Sequence, residues 1–373
     1  TTVGTAITDD GVVTVAGTSS FTAGAAAITL DAGNDFTGAV SASNTGNLIT
    51  LNDANGIVLG DIGTDNSLTV TSSGAITQDT QGINVAVTTT LTPGAANDII
   101  LGTSGNDFGA IQIVNGNNVT LTDINALAIG GAGVSAISGE LAILTGGDLT
   151  QTQAVTVTGE TDIAVGANAI TLTNAANNFT GAVSASNLGA GAGVDIALRD
   201  TDAIILGQIT TPQDLLVQAG GAVTQTIDGV EVAGETAITA GANAVTLDAV
   251  NNDFNDIRIV SGTAVTLADR NAIDFDGGAS DINGALVLTT NGAVTQGDEI
   301  DVLTTTTINA NGGVITLTDA ANNMQGLVNV LSGDTVSLAN ANGNAMLVGD
   351  IDSTGTLTLS SDTLNIDGIV QAD

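Results

Sequence analysis

Any reaction run by this chain would have to run on carboxylates. Its 373 residues include no His and no Cys, which removes most nucleophile–base pairs and most transition-metal sites. Asp and Glu number 39, and the adjacent pairs Asp9-Asp10 and Asp274/Asp276 are the candidates for general acid–base work. A lyase would also need a cation to stabilise an enolate, and the only cations are Arg199, Arg258 and Arg270. Acid is so common here that close pairs arise by chance. No repeat looks singled out to carry unusual residues, as a grafted active site would require. The expectation is no enzyme, with no catalytic, cofactor-binding or metal residue assigned. A carbohydrate-binding or carbohydrate-cleaving β-helix is the alternative.

Carboxylates also bind Ca²⁺. Gly102 to Phe108, GTSGNDF, resembles one half of the glycine-rich nonapeptide of toxin-type β-rolls, and DAGNDF from Asp31 is a looser match. That motif needs consecutive tandem copies that share an ion. Here the copies stand far apart and the third reads NAANNF. A Ca²⁺-dependent β-roll stays an alternative; diffuse counterion condensation is the plainer reading. TTTLT from Thr88 and TTTT from Thr304 are too sparse for a continuous threonine face of the ice-binding kind. Asn118-Val119-Thr120 and Asn178-Phe179-Thr180 match glycosylation sequons, which an Asn/Thr-rich repeat produces by chance.

A net charge of −36 repels phosphate backbones and anionic lipid, so neither nucleic acid nor a bilayer surface is an expected partner. The acid is spread along the chain and hydrophobic residues make up 43%, which argues against disorder. No apolar run approaches the roughly 18 residues of a membrane span. TTVGTAITDD has neither a basic n-region nor an initiator Met, so the sequence is a processed product or a piece of a longer chain. A chain without Cys also suits export in the unfolded state.

What must position any such residue is a repeat. NDF stands at Asn34–Phe36 and Asn106–Phe108, NNF at Asn177–Phe179, NNDF at Asn251–Phe254 and NNM at Asn322–Met324. Four of the 6 Phe and one of the two Met thus recur at steps of 72, 71, 75 and 70. A second marker, the TQ of GAITQ, recurs at Gln78, Gln151, Gln225 and Gln296, at steps of 73, 74 and 71. Each period of about 72 residues divides into four units of about 18, sharing an alternating V-x-L or I-x-L run and a Gly/Asn/Asp turn.

Alternation over three to five residues means strands with one buried face, and no helical periodicity is sustained. The expected fold is all-β: a single-stranded parallel β-helix, or β-solenoid, with one unit per coil and about 20 coils in five super-repeats. At about 4.8 Å per coil this makes a rod on the order of 95 Å. Residues 1–373 form one continuous solenoid, with super-repeats at approximately 10–78, 79–151, 152–225, 226–296 and 297–367. Stacked Val, Ile, Leu and Ala fill the tube and Gly turns the corners. Asn side chains can line up into ladders. Each NDF Phe fills a wide corner of its own coil, the preceding Asn or Asp shapes the turn, and Met324 is a flexible substitute.

The units NNFTGAVSASN, VTLTD and GGAVTQ resemble the repeat regions of large bacterial exoproteins and adhesins of the filamentous haemagglutinin type, over about Val13 to Ile369. The resemblance implies a right-handed β-helix exported to the cell surface, serving as a stalk or adhesive fibre. The secretion domain and adhesive domains of such proteins are not recognised here. The chain starts and stops at similar phase: TAITDDGVV aligns with a TQ junction and Asp367 stands where Gln78 does. Either this is a segment of a longer array, or protomers stack head to tail into a filament.

Overall fold

A computed structural model describes residues 4–94, 96–191 and 193–372. Among these residues every regular element is a strand, and none is a helix long and apolar enough to cross a membrane. The chain divides into two compact units, Thr1–Val183 and Ser184–Asp373. Each is a parallel β-solenoid.

The strands follow from the alternating runs. In Ile49–Asp53 the side chains of Ile49, Leu51 and Asp53 are buried while Thr50 and Asn52 reach the surface. Turns rich in Gly, Asn and Asp close each corner. A coil of the first unit uses three such strands. Leu68–Ser72 lies in register on Ile49–Asp53, and Ile76–Gln78 lies on the start of Ile57–Thr64. The start of Ile83–Thr92 covers the end of Ile57–Thr64.

Register gives the coil length. Ile7, Ile28, Ile49, Leu68, Thr89, Ile111, Ile129 and Gln151 are successive partners on one ladder. Seven steps cover 144 residues, about 21 per coil. The described chain therefore makes about 17 turns, not about 20. The expected one-unit coil was wrong for a physical reason. An alternating run with its turn makes only one strand and one corner, and closing the tube takes three.

A period of about 72 residues is then three and a half coils, so successive copies alternate between sheets. Ile28 belongs to the ladder above. Ile99, one period later, belongs to another, in which Ile57, Ile76, Ile99, Val119, Leu141 and Thr161 are successive partners. Ile170, two periods on, pairs with Leu149 beside Gln151, back on the first sheet. The second unit alternates likewise. Val245 lies in the run Ile204, Val223, Val245, Val265, Leu286, Thr306 and Val328. Ile315 lies in Ile273, Val294, Ile315, Val336 and Leu357.

The core is columns of Ile, Leu and Val. Phe36, Phe108, Phe179, Phe254 and Met324 are each at most 1% exposed and lie within their own coils, as expected. Glycine acts in two ways. Gly33 takes φ +68° in an open turn, whereas Gly159 and Gly181 are needed for close approach. A Cβ on Gly159 would lie 2.6 Å from the Gly139 backbone, and one on Gly181 would lie 2.2 Å from Gly159 O.

Candidate functional site

The repeat-defining polar residues turn out to hold the coils together. Asn106, fully buried, accepts from the Gln78 side-chain amide (2.9 Å) and from Ile83 N–H (3.0 Å). Its own amide donates to Gln78 Oε1 (2.8 Å) and Leu101 O (3.1 Å). The same reciprocal pair joins Gln151 to Asn177, Gln225 to Asn252, and Gln296 to Asn322. In the first period Asp9 takes the glutamine's place, accepting from Asn34 Nδ2 at 2.7 Å. The expected asparagine ladder is thus replaced by an asparagine–glutamine staple. Stacked amides would need a copy in every coil, and the copies stand three and a half coils apart.

The aromatic that follows is tied down as well. Phe36, Phe108 and Phe254 donate their N–H groups to Asp53, Asp123 and Asp269, at 2.8, 2.7 and 2.7 Å. The other oxygen of each carboxylate accepts from the N–H two residues on. Met324 N–H donates to Asn340 instead. Burial pushes the Asp123 and Asp269 carboxyls above the usual range, although both accept backbone N–H groups that lower them.

Charge departs from this plan on one face of the second unit. Register stacks Glu235 on Asp256 and Asp256 on Asp274, one carboxylate per coil. Asp214 extends the column, accepting from Glu235 N–H at 2.8 Å. Arg258 lies alongside, donating to Gly277 O at 3.2 Å. A Cβ on Gly277 would strike Glu235, and one on Gly278 would strike Arg258, so the two glycines form a shelf under both side chains. Next to it, Arg270 Nη1 donates to Glu231 at 2.8 Å, and Nη2 contacts Asp253. A groove of about 910 Å³ runs past these groups, lined by Leu188, Glu231, Asp253, Phe254, Asp256 and Asp274 among others.

This corrects the expectation that no repeat gathers unusual residues. Asp274 and Asp276, singled out as a pair, do share a face, with Arg258 and two further carboxylates between coils. The signal was present in the comparison of residues 252–278 with 106–132, two periods earlier. Asp256, Arg258, Arg270, Asp274 and Asp276 stand where Ala110, Gln112, Ile124, Ala128 and Gly130 stood. The glycine shelf is kept: a Cβ on Gly131 would meet Gln112 and Thr88. Comparing adjacent periods hides this, because adjacent periods lie on different sheets. Chemically the face can take up protons and attract cations. Among the described residues no group of three or more Asp or Glu is placed to hold a metal ion.

The other singled-out residues are dispersed. Asn106 of GTSGNDF points inward to its staple, and Asp107 accepts from Asn125 on a neighbouring coil. The Asp9 carboxylate accepts from Asn34, Asp31 and Ala32. Arg199 sits on a different strand, paired in register with Gln218. Thr89 is buried between Leu68 and Ile111, and Thr306 between Leu286 and Val328, so neither run builds a threonine face.

Comparison with known proteins places this arrangement in a family. The model described as "Repeats of unknown function (DUF5649)" matches residues 1–43, 45–115, 116–186, 193–261 and 262–331. Its copies are about one long period each, and the chain belongs to this family of repeats. It is also similar to "Outer membrane protein A" of Rickettsia rickettsii, 29% identical over 396 residues and 96% of this chain. The chain spans 17% of that relative's length. No solved structure matches.

Proposed function

We propose that this member of the repeat family is a non-catalytic structural segment of a bacterial cell-surface protein. It would be a stiff β-solenoid stalk or a filament subunit. The observation that carries the reading is where the period's polar markers go. Gln78 and Asn106, like their later counterparts, bond to one another across coils, and Asp123 fixes the Phe108 turn. A repeat whose characteristic residues serve coil cohesion is a repeat for building length. The name of the Rickettsia relative and the resemblance to filamentous haemagglutinin-type exoproteins both support a surface location. The partner is more of the same repeat, in one chain or in a second copy joined head to tail. No metal cofactor is part of the proposal.

The test is antibody labelling of the source cells. Labelling of intact cells, lost after external protease, is expected; labelling that needs permeabilised cells overturns the surface reading. Electron microscopy of the purified chain at high concentration tests head-to-tail joining, which fails if only dispersed short particles are seen.

A second reading, a carbohydrate-binding β-helix, is favoured by the groove beside Phe254, where Asn187, Asn255, Asn271, Asp253 and Glu231 offer polar groups. Binding to a glycan array that Asp253→Ala abolishes would favour it over the purely structural reading.

A further inference from the structure

We propose that the carboxylate column Asp214–Glu235–Asp256–Asp274 is a pH-responsive clasp, held loose by its own repulsion at neutral pH and tightened by proton uptake in acid. In a parallel in-register stack, like residues face each other at the coil spacing of about 4.8 Å. Like charges in that position oppose pairing. Glu235 faces Asp256, and Asp256 faces Asp274, in consecutive coils. Glu235 Oε1 and Asp274 Oδ1 are shut off from solvent and have no hydrogen-bond partner. An oxygen in that position is costly as part of an anion and favourable once a proton is bound or shared with its neighbour.

The surrounding charge does not neutralise the column. Asp276 and Asp298 face it from the next coils, the latter accepting from Gly278 N–H at 2.8 Å. Asp195 stands just ahead of strand Ile196–Asp200, whose Ile196 pairs with Leu215. Across the groove, Arg270 is already engaged by Glu231 and Asp253. That leaves Arg258 as the cation facing the column, with Asn255 donating to Asp256 at 2.9 Å. The fold does not demand this. Two periods earlier, the same positions hold Thr88, Ala110 and Ala128.

Burial, and then the neighbouring carboxylates, raise the Glu235 and Asp256 carboxyls, although Arg258 partly offsets this at Glu235. The folded coils therefore bind these protons more tightly than the unfolded chain does. Their stabilising contribution is complete below the ordinary carboxylate range and is lost as pH rises through the raised values.

The test is hydrogen exchange on the full chain, corrected for intrinsic rates, at neutral pH and near the carboxylate range. The net charge of −36 makes every coil respond to acid, so the difference between coils is the readout. Strands Val230–Thr239, Asp253–Ser261 and Ile273–Phe275 should gain protection several-fold more on acidification than Ile83–Thr92, Asp107–Ile113 and Leu127–Ile129. Asp256→Asn with Asp274→Asn should be well protected at neutral pH and lose the extra gain. Glu235→Gln alone should halve it and serves if the double variant misfolds. Equal gains in the two sets of coils, or an extra gain that survives in the variants, overturns the proposal.

Discussion

The side-chain amides of Gln78 and Asn106, 28 residues apart, exchange two hydrogen bonds across the coil between them. Gln78 Oε1 also accepts from Thr103 N–H at 3.3 Å, so one glutamine fixes both the asparagine and the turn that delivers it. Equivalent contacts recur from Gln151 to Asn174 N–H and from Gln225 to Ala249 N–H. The polar side chains of the two long-period markers are one device.

Asn106 is therefore the member that cannot be spared. Asn106→Ala strands the buried Ile83 N–H and the Gln78 amide together, and should cost about 1–3 kcal/mol or more. Gln78→Ala leaves Asn106 its bonds to Ile83 and Leu101 and should cost about 1 kcal/mol. In urea unfolding, the double variant should be less destabilised than the two singles combined. Strict additivity would show that the pair is not coupled.

This staple also marks the boundary of what the sequence discloses. Alternation in runs such as ITL and VTV discloses parallel strands and an inward face, and the Phe and Gln spacings disclose the long period. Neither discloses how many strands close a coil. That number depends on tube circumference, which is set by how Leu, Ile and Phe side chains meet in cross-section. Once a coil is about 21 residues, Gln78 and Asn106 come together and adjacent periods separate onto different sheets. The charged face around Arg258 and Asp256 was obscured for the same reason: its members share a face only when the coil length is known.

Phe108 should tolerate methionine but not alanine. It is fully buried in its own coil, and Met324 occupies the corresponding place in the fifth period. Phe108→Met should cost less than about 1.5 kcal/mol. Phe108→Ala should cost about 3–5 kcal/mol, because a rigid stack cannot collapse into the void. Similar urea midpoints for the two variants would show that the corner is not packed.

At the Gly139–Gly159–Gly181 corner the coils approach too closely for any side chain. Gly181→Ala places a Cβ 2.2 Å from a carbonyl oxygen, and separating the coils there should cost about 1–3 kcal/mol. Gly63→Ala is the control. Nothing lies within 4 Å of that Cβ and its φ is not left-handed, so alanine should be neutral or stabilise by up to about 1 kcal/mol. Thermal melts of the two variants should shift in clearly different amounts; a matching loss would argue against close approach as the reason for glycine.

Asp9 and Asp123 should respond to acid with opposite sign. Burial tends to raise the Asp9 carboxyl, but hydrogen bonds from Asn34, Ala32 and Asp31 together hold it below its usual value. Its contribution is present above the ordinary carboxylate range and lost as pH falls through the lowered value. Asp123 is raised by burial, so its contribution is complete below that range and lost as pH rises through the raised value. Asparagine removes the titration at either position and keeps one acceptor oxygen, as Asn340 does naturally beneath Met324. The penalty of Asp9→Asn should therefore be largest at neutral pH and shrink in acid, while that of Asp123→Asn should grow as the pH falls. Urea unfolding of each variant and the parent across this range reads both slopes. Parallel slopes would mean that the net charge of −36, common to all three proteins, governs the acid response, and that neither buried carboxylate has the environment assigned to it.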